Sequence, residues 1–178
     1  GFPCLSIEYL LFEGSEIEEI REIIKLFIKI CLPNDAYCSI NVPSDDILLI
    51  HALGNTSFGL IETRLNYVLK NNGLVRSQHF PHIKRADLAD IEPLRNVAKQ
   101  MRNRYDRVHA DPAFSDDVAD EYLATFAEES IRGFADIVLK CEDEFNTAHG
   151  FLAANYPVEI AGCSVSKLVL AAVDNSLH

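Results

Sequence analysis

A chain of 178 residues suffices for one ordinary domain or two small ones sharing a core. Its 48% hydrophobic and 24% charged residues are a globular balance that argues against disorder. Sixteen Lys and Arg against 27 Asp and Glu leave a net charge of −11, which repels a phosphate backbone and an anionic membrane face, so nucleic acid and membrane are not expected partners.

The first apolar, β-leaning segment is Cys4–Phe12, broken by Gly14. Ser15 and Glu18 have the spacing of a capping box, and Ile17, Ile20, Ile23, Ile24, Phe27, Ile28 and Cys31 follow at steps of three and four. This predicts an amphipathic helix ending at Pro33. Tyr37–Val42 reads as a second strand, Asp45–Leu53 as a helix capped by Ser44, and Leu60–Leu69 as a third strand. The first third is therefore expected to be a β-α-β-α-β unit.

Asn71-Asn72-Gly73 closes that unit, which places a first domain at 1–72, a linker at 73–82 and a second domain at 83–178. After Ile83–Arg85, a helix capped by Asp90 carries Ile91, Leu94, Val97, Ala98 and Met101 on one face. Arg104–Phe114 reads as a loop. Ser115 opens a long helix with Val118, Ala119, Tyr122, Leu123, Phe126, Ala127 and Ile131 as its stripe, closing at Gly133. Strand-like segments follow at Ile137–Cys141, Gly150–Ala154 and Lys167–Val173, with Pro157–Cys163 expected to pair in the same sheet. The fold class is thus α/β (α+β by some schemes), a mixed sheet with flanking helices.

Five cysteines, Cys4, Cys31, Cys38, Cys141 and Cys163, form no C-x-x-C pair and are odd in number. Reduced thiols fit better than a disulfide scaffold or zinc ribbon. No uncharged apolar run approaches the roughly 18–20 residues of a membrane span, and a cytoplasmic protein is expected. The start at Gly1 and the stop at His178, just after a strand-like run, read as the ends of a piece of something longer.

Charge is uneven along the chain. Arg76, Lys84, Arg85, Arg95, Lys99, Arg102, Arg104 and Arg107 form a basic window holding fewer acids, Asp87, Asp90, Glu92 and Asp106. Guanidinium forks match phosphate geometry, so the window is a candidate site for a phosphorylated small molecule; a solvated helix face is the plain alternative. His79, His82 and His109 with Asp111 have metal-ligating chemistry, but Pro81 breaks the helical spacing of a zincin and no metal is expected. No G-x-S-x-G and no phosphate-cradling glycine loop is present.

Two stretches carry a more specific pattern. Arg107-Val-His-Ala-Asp-Pro112 and Tyr122-Leu-Ala-Thr-Phe-Ala-Glu-Glu-Ser-Ile-Arg-Gly-Phe-Ala-Asp136 resemble the signature of GNAT-type N-acyltransferases of the dTDP-fucosamine acetyltransferase group. Gly1-Phe2-Pro3 fits the segment that precedes the first strand in that group, and Leu168-Val-Leu-Ala-Ala-Val-Asp174 resembles its fourth GNAT strand. Phe126 and Glu129 depart from the usual Trp and Asn, which bears on the acceptor rather than on the fold.

The resemblance implies transfer of an acyl group from acetyl-CoA to a small-molecule amine, in that group a nucleotide-linked amino sugar. It implies that Leu170, Ala171, Ala172 and Val173 contact the donor through main-chain groups, and that Arg107, His109, Asp111, Glu128 and Ser130 line the acceptor site. The Arg76–Arg107 window would then hold the acceptor's diphosphate. Asp174, Glu159 or a water is left as the base. The pyrophosphate loop and a following helix would lie beyond His178, so the chain by itself is expected to be inactive, and a homodimer is a further expectation. The same residues also read as an ordinary central strand, a packed helix face (Glu128, Ser130) and turn and cap residues (His109, Asp111). The alternative function is a non-catalytic ligand-binding or assembly protein that keeps the fold without the cofactor loop.

Overall fold

Isoleucines at three- and four-residue spacing wind into α1 (Ile17–Cys31), which carries the chain between two short parallel strands, β1 (Cys4–Ile7) and β2 (Tyr37–Ile40). Parallel neighbours need such a crossover. The computed structural model describes residues 3–8, 10, 16–32, 36–65, 80–103 and 106–174. It divides into two compact units, Gly1–Leu65 and Asn66–His178. The expected boundary at Asn71–Gly73 lies outside the described residues.

In the first unit, Ile20 and Ile24 of α1 pack on Leu49, Ala52 and Leu53 of α2 (Ile47–Gly54). Both helices were legible, but their caps differ from expectation. Glu16, not Ser15, holds the N-cap position of α1, without a side-chain cap bond. Asp46, not Ser44, caps α2, its carboxylate accepting from the Leu49 amide at 3.0 Å. The expected third strand is not formed over Leu60–Leu65, where the backbone is irregular and Leu60 and Leu65 are 82% and 72% exposed. Alternation favours a strand only where a neighbouring strand takes up its amides and carbonyls. Residues 66–69 lie outside the described part.

The second unit is a sheet with a helical layer on it. Its strands β3 (Ile83–Arg85), β4 (Ile137–Glu142), β5 (Ala148–Ala154) and β8 (Leu168–Val173) lie in that order, every neighbour antiparallel. Between β3 and β4 the chain forms α3 (Ile91–Lys99), the short α4 (Arg107–Ala110) and α5 (Asp116–Glu129). Leu94 and Val97 of α3 and Leu123 of α5 meet Val138, Phe151 and Ala172 of the sheet in one core. Ala98, Ala127 and Ala153 are also fully buried there, and their small side chains let helix and sheet backbones approach closely.

Three local corrections apply. A 3₁₀ turn, Leu88–Asp90, precedes α3; Asp87 caps it reciprocally with Asp90, while Asp90 makes no cap bond to α3. The expected loop 104–114 contains α4, whose N-terminal amides at Val108 and His109 are taken by Asp106. Pro157–Cys163 does not join the main sheet. Instead β6 (Val158–Ile160) and β7 (Cys163–Val165) pair only with each other, around an Ala161-Gly162 turn with φ of 49° and 77°. The long helix closes where expected: α5 runs into a wider π turn, Ser130–Phe134, and Gly133 takes φ of 118°. The architecture is mixed α/β, in the α+β manner. Among the described residues no helix is long and apolar enough to cross a membrane.

Candidate functional site

Leu170–Val173, expected to meet the acyl donor, lie in β8 at the edge of the sheet, with β5 as their neighbour among the described residues. Register sets where their amides point. The Asp174 amide donates to the His149 carbonyl at 2.7 Å, making 149/174 a hydrogen-bonded pair, and such pairs alternate along an antiparallel ladder. Ala172 and Leu170 therefore bond to β5, whereas the main-chain groups of Ala171 and Val173 turn outward to the open edge. Gly150 makes this fit possible: a Cβ there would stand 3.0 Å from the Ala172 carbonyl oxygen.

At the C-terminal end of that edge stands a polar corner. The ladder slips between Cys141 and Glu142, which leaves His149 at the irregularity. Its Nε2 lies 3.1 Å from Asp143 Oδ2, and its Nδ1 lies 3.8 Å from Asp174 Oδ2. Asp143 is fixed in the β4–β5 turn, accepting from the amides of Phe145 at 2.9 Å and Thr147 at 2.8 Å. The Thr147 amide first, and His149 next, hold its carboxyl below the usual carboxylate range. Nearby, buried Glu142 pairs with Lys84 and, at 3.0 Å, with Lys140, whose ammonium also reaches Asp90 at 2.6 Å. Lys84 foremost, then Lys140, keeps the Glu142 carboxyl low, so the slip in the ladder is pinned by ion pairs.

The residues expected to line an acceptor site are each held by a neighbour outside that set. His109 Nδ1 lies 2.6 Å from Asp106 Oδ2 and its Nε2 lies 3.0 Å from Asp120 Oδ1. Burial alone would lower its pKa, but the carboxylates of Asp120 and Asp106 outweigh that and raise it, so both nitrogens donate from an imidazolium. Asp120 also takes Arg102 in a forked pair, with Nη2 at 2.6 Å. Arg102, more than the burial opposing it, holds that carboxyl low. Ser130 is buried, and its hydroxyl donates to the Phe126 carbonyl at 2.7 Å inside the helix. Glu128 accepts from Arg95 at 2.7 Å and from Arg132 at 2.7 and 2.9 Å. Asp111 is buried and accepts from the Ala113 amide at 2.9 Å, as a turn residue does. Arg107 reaches the Tyr122 hydroxyl at 3.1 Å, beside a shallow open groove on α5 lined by Val118, Tyr122 and Thr125.

The basic window changes character in three dimensions. Arg95 and Lys99 pair with Glu121, Lys99 at 2.7 Å, and Arg102 faces Asp116 and Asp117 at 3.6 and 3.7 Å besides Asp120. Acidic residues of α5 thus pair with Arg95, Lys99 and Arg102, three of the eight basic residues of the window. Arg76 and Arg104 lie outside the described residues. His79 does as well; His82 is exposed, His109 has both nitrogens engaged, and no metal-ligating group of three or more side chains occurs among the described residues. Sequence reasoning passed over Asp143 and His149. Their one signal is a histidine beside a strand glycine, six residues after a turn aspartate, which any hairpin can show.

No family model matches the sequence, and no curated protein matches it.

Proposed function

We propose that the second unit is the donor-binding half of a GNAT-type N-acyltransferase, passing an acetyl group from acetyl-CoA to the amine of a small molecule. The observation that carries this reading is the outward-facing edge of β8. The order strand, three helices (α4 a single turn) and then an antiparallel run ending in an open strand supports it, as does the resemblance of Arg107–Pro112 and Tyr122–Asp136 to that superfamily. An edge amide at Ala171 or Val173 donates to the thioester oxygen and stabilises the oxyanion that forms there. The chain's own residues suit the thioester; the pyrophosphate would need amides at a helix N-terminus following β8, beyond the described residues. An amino sugar carried on a nucleotide is the acceptor class that the resemblance names, in a cytoplasmic setting.

A second reading is favoured by the closed pairing of His109, Glu128 and Ser130: a non-catalytic binder or assembly protein built on the same fold. Calorimetry with acetyl-CoA, on this chain and on the full-length protein, followed by thiol release with a panel of amino sugars, separates the two. Binding by the full-length protein, weak binding by this chain and thiol release with one acceptor are expected. Binding without thiol release favours the binder. Absence of binding by the full-length protein rejects the transferase, and tight binding by this chain alone puts the donor site elsewhere.

A further inference from the structure

Transfer to an amine leaves one group to be found, because the attacking nitrogen is protonated at neutral pH and must shed a proton first. Glu159 is remote from the ladder in kind: it is exposed on β6, in the separate hairpin. Asp174 is the first residue past the outward-facing stretch of β8, and the register sets it against His149. Its side chain is 19% exposed and that of His149 21%, so the corner is half-buried rather than closed.

The hydrogen bonds around His149 set its tautomer. Asp143 is an ionised carboxylate fixed by two amides, and a carboxylate can only accept, so Nε2 carries a hydrogen and, in the neutral ring, Nδ1 the lone pair. That lone pair is shielded from solvent and has no hydrogen-bond partner among the described residues. It faces Asp174 Oδ2 across 3.8 Å, too far for a direct bond and close enough for a proton to pass after a small side-chain rotation. A shielded imidazole nitrogen with a half-buried carboxylate in front of it is placed to exchange a proton with that carboxylate.

Resting on the transferase reading, we propose that Asp174 and His149 form the proton relay for the acceptor amine, with Asp143 as the positioning residue. The acceptor's ammonium donates to Asp174, and the proton moves on to His149 Nδ1. The freed nitrogen lone pair forms the bond to the thioester carbon. The C–S bond then breaks with its electron pair on sulfur, and the second proton lost by nitrogen goes to that thiolate, giving the CoA thiol. His149 returns its proton to solvent. The substrate class this corner selects is a primary amine, whose ammonium supplies both a charge for Asp174 and the proton for His149.

Two measurements test the relay. The ring ¹⁵N shifts of His149 in this chain are expected to show the Nε2–H tautomer, and Asp143→Asn is expected to shift the ring off it. An Nδ1–H tautomer in the unaltered chain overturns the relay whether or not transfer occurs. In the full-length protein, His149→Gln is expected to leave acetyl-CoA binding within about twofold and to lower kcat about 100-fold. An unchanged kcat overturns the relay and leaves the transferase standing. A full-length protein that does not bind acetyl-CoA overturns the transferase and the relay together.

Discussion

Two histidines in the second unit stand among carboxylates and are used in opposite ways. His109, in the helical layer, has a carboxylate on each nitrogen, at 2.6 and 3.0 Å, and is closed to anything else. His149, at the end of the sheet edge, has one nitrogen held at 3.1 Å and the other facing a carboxylate at 3.8 Å. The first arrangement ties α4 and α5 together through Asp106, Asp120 and Arg102. The second leaves Nδ1 without a hydrogen-bond partner among the described residues, at an edge where main-chain amides also point outward. The contrast teaches that the polar residues of the resembling signature can serve the scaffold, while the less saturated polar geometry lies where the sheet ends.

The largest expected effect breaks the closed cluster. His109→Gln leaves Asp106 and Asp120 facing a side chain that cannot donate charge to either, and is expected to cost about 2–3 kcal/mol near pH 6. The pH dependence gives the sign. His109 has a raised pKa in the folded state, so its contribution is complete below the unfolded value of about 6.5 and is lost as pH rises through the folded one. Asp120, with a lowered pKa, contributes above the unfolded carboxylate value and loses that contribution as pH falls through the folded one. Urea unfolding across pH is therefore expected to show the penalty of His109→Gln shrinking on the alkaline side. A penalty constant to pH 9 would mean that the imidazolium is not what the two carboxylates hold.

A smaller effect is expected at the sheet edge. Gly150→Ala would bring a methyl carbon to 3.0 Å from the Ala172 carbonyl oxygen, tighter than backbone neighbours tolerate. The two strands must part by a few tenths of an ångström, at a cost of about 1–2 kcal/mol. Amide hydrogen exchange separates this from general destabilisation. Protection is expected to fall at Phe151 and Ala172 on the β5–β8 ladder and to persist at Lys140 on the β3–β4 side. Equal loss at both would show that β8 is no more separable from the sheet than β3.

What the sequence made legible follows the same division. Leu94, Val97 and Ala98 declare a helix because packing on one face imposes a period that neighbours in sequence can display. Gly133 marks the helix end because its φ of 118° suits few other residues. The pairing of Arg95 with Glu121 and Glu128 was not legible: those residues lie 26 and 33 positions away, and only the packing of α3 on α5 brings them together. For the same reason the acidic partners of Arg95, Lys99 and Arg102 could not be read along the chain. Over Leu60–Leu65 the alternation meets no partner strand among the described residues, and α4 is too short to show a period. At the candidate site, the strand Leu168–Val173 was readable as an apolar run, but the outward turn of its amides depends on register with β5. His149 is the extreme case, since its meaning comes from residues in a turn and on another strand.

The smallest expected effect probes how β8 is delivered to the edge. After β5 the chain makes the β6–β7 hairpin and then returns as β8, so the hairpin turn precedes the strand proposed to hold the donor. Ala161 sits in that turn at φ of 49°, a left-handed conformation that a Cβ disfavours and that asparagine tolerates better. Ala161→Asn, ahead of Gly162, is expected to stabilise the hairpin by about 0.5 kcal/mol. The gain is expected in the exchange protection of the Ile160–Cys163 pair, which flanks the turn. If the hairpin only connects, β8 protection stays as it was and the edge is set by Gly150 and the core beneath it. If β8 protection rises with it, the hairpin positions the strand, and changes in that turn will alter donor binding without touching a donor-contacting residue.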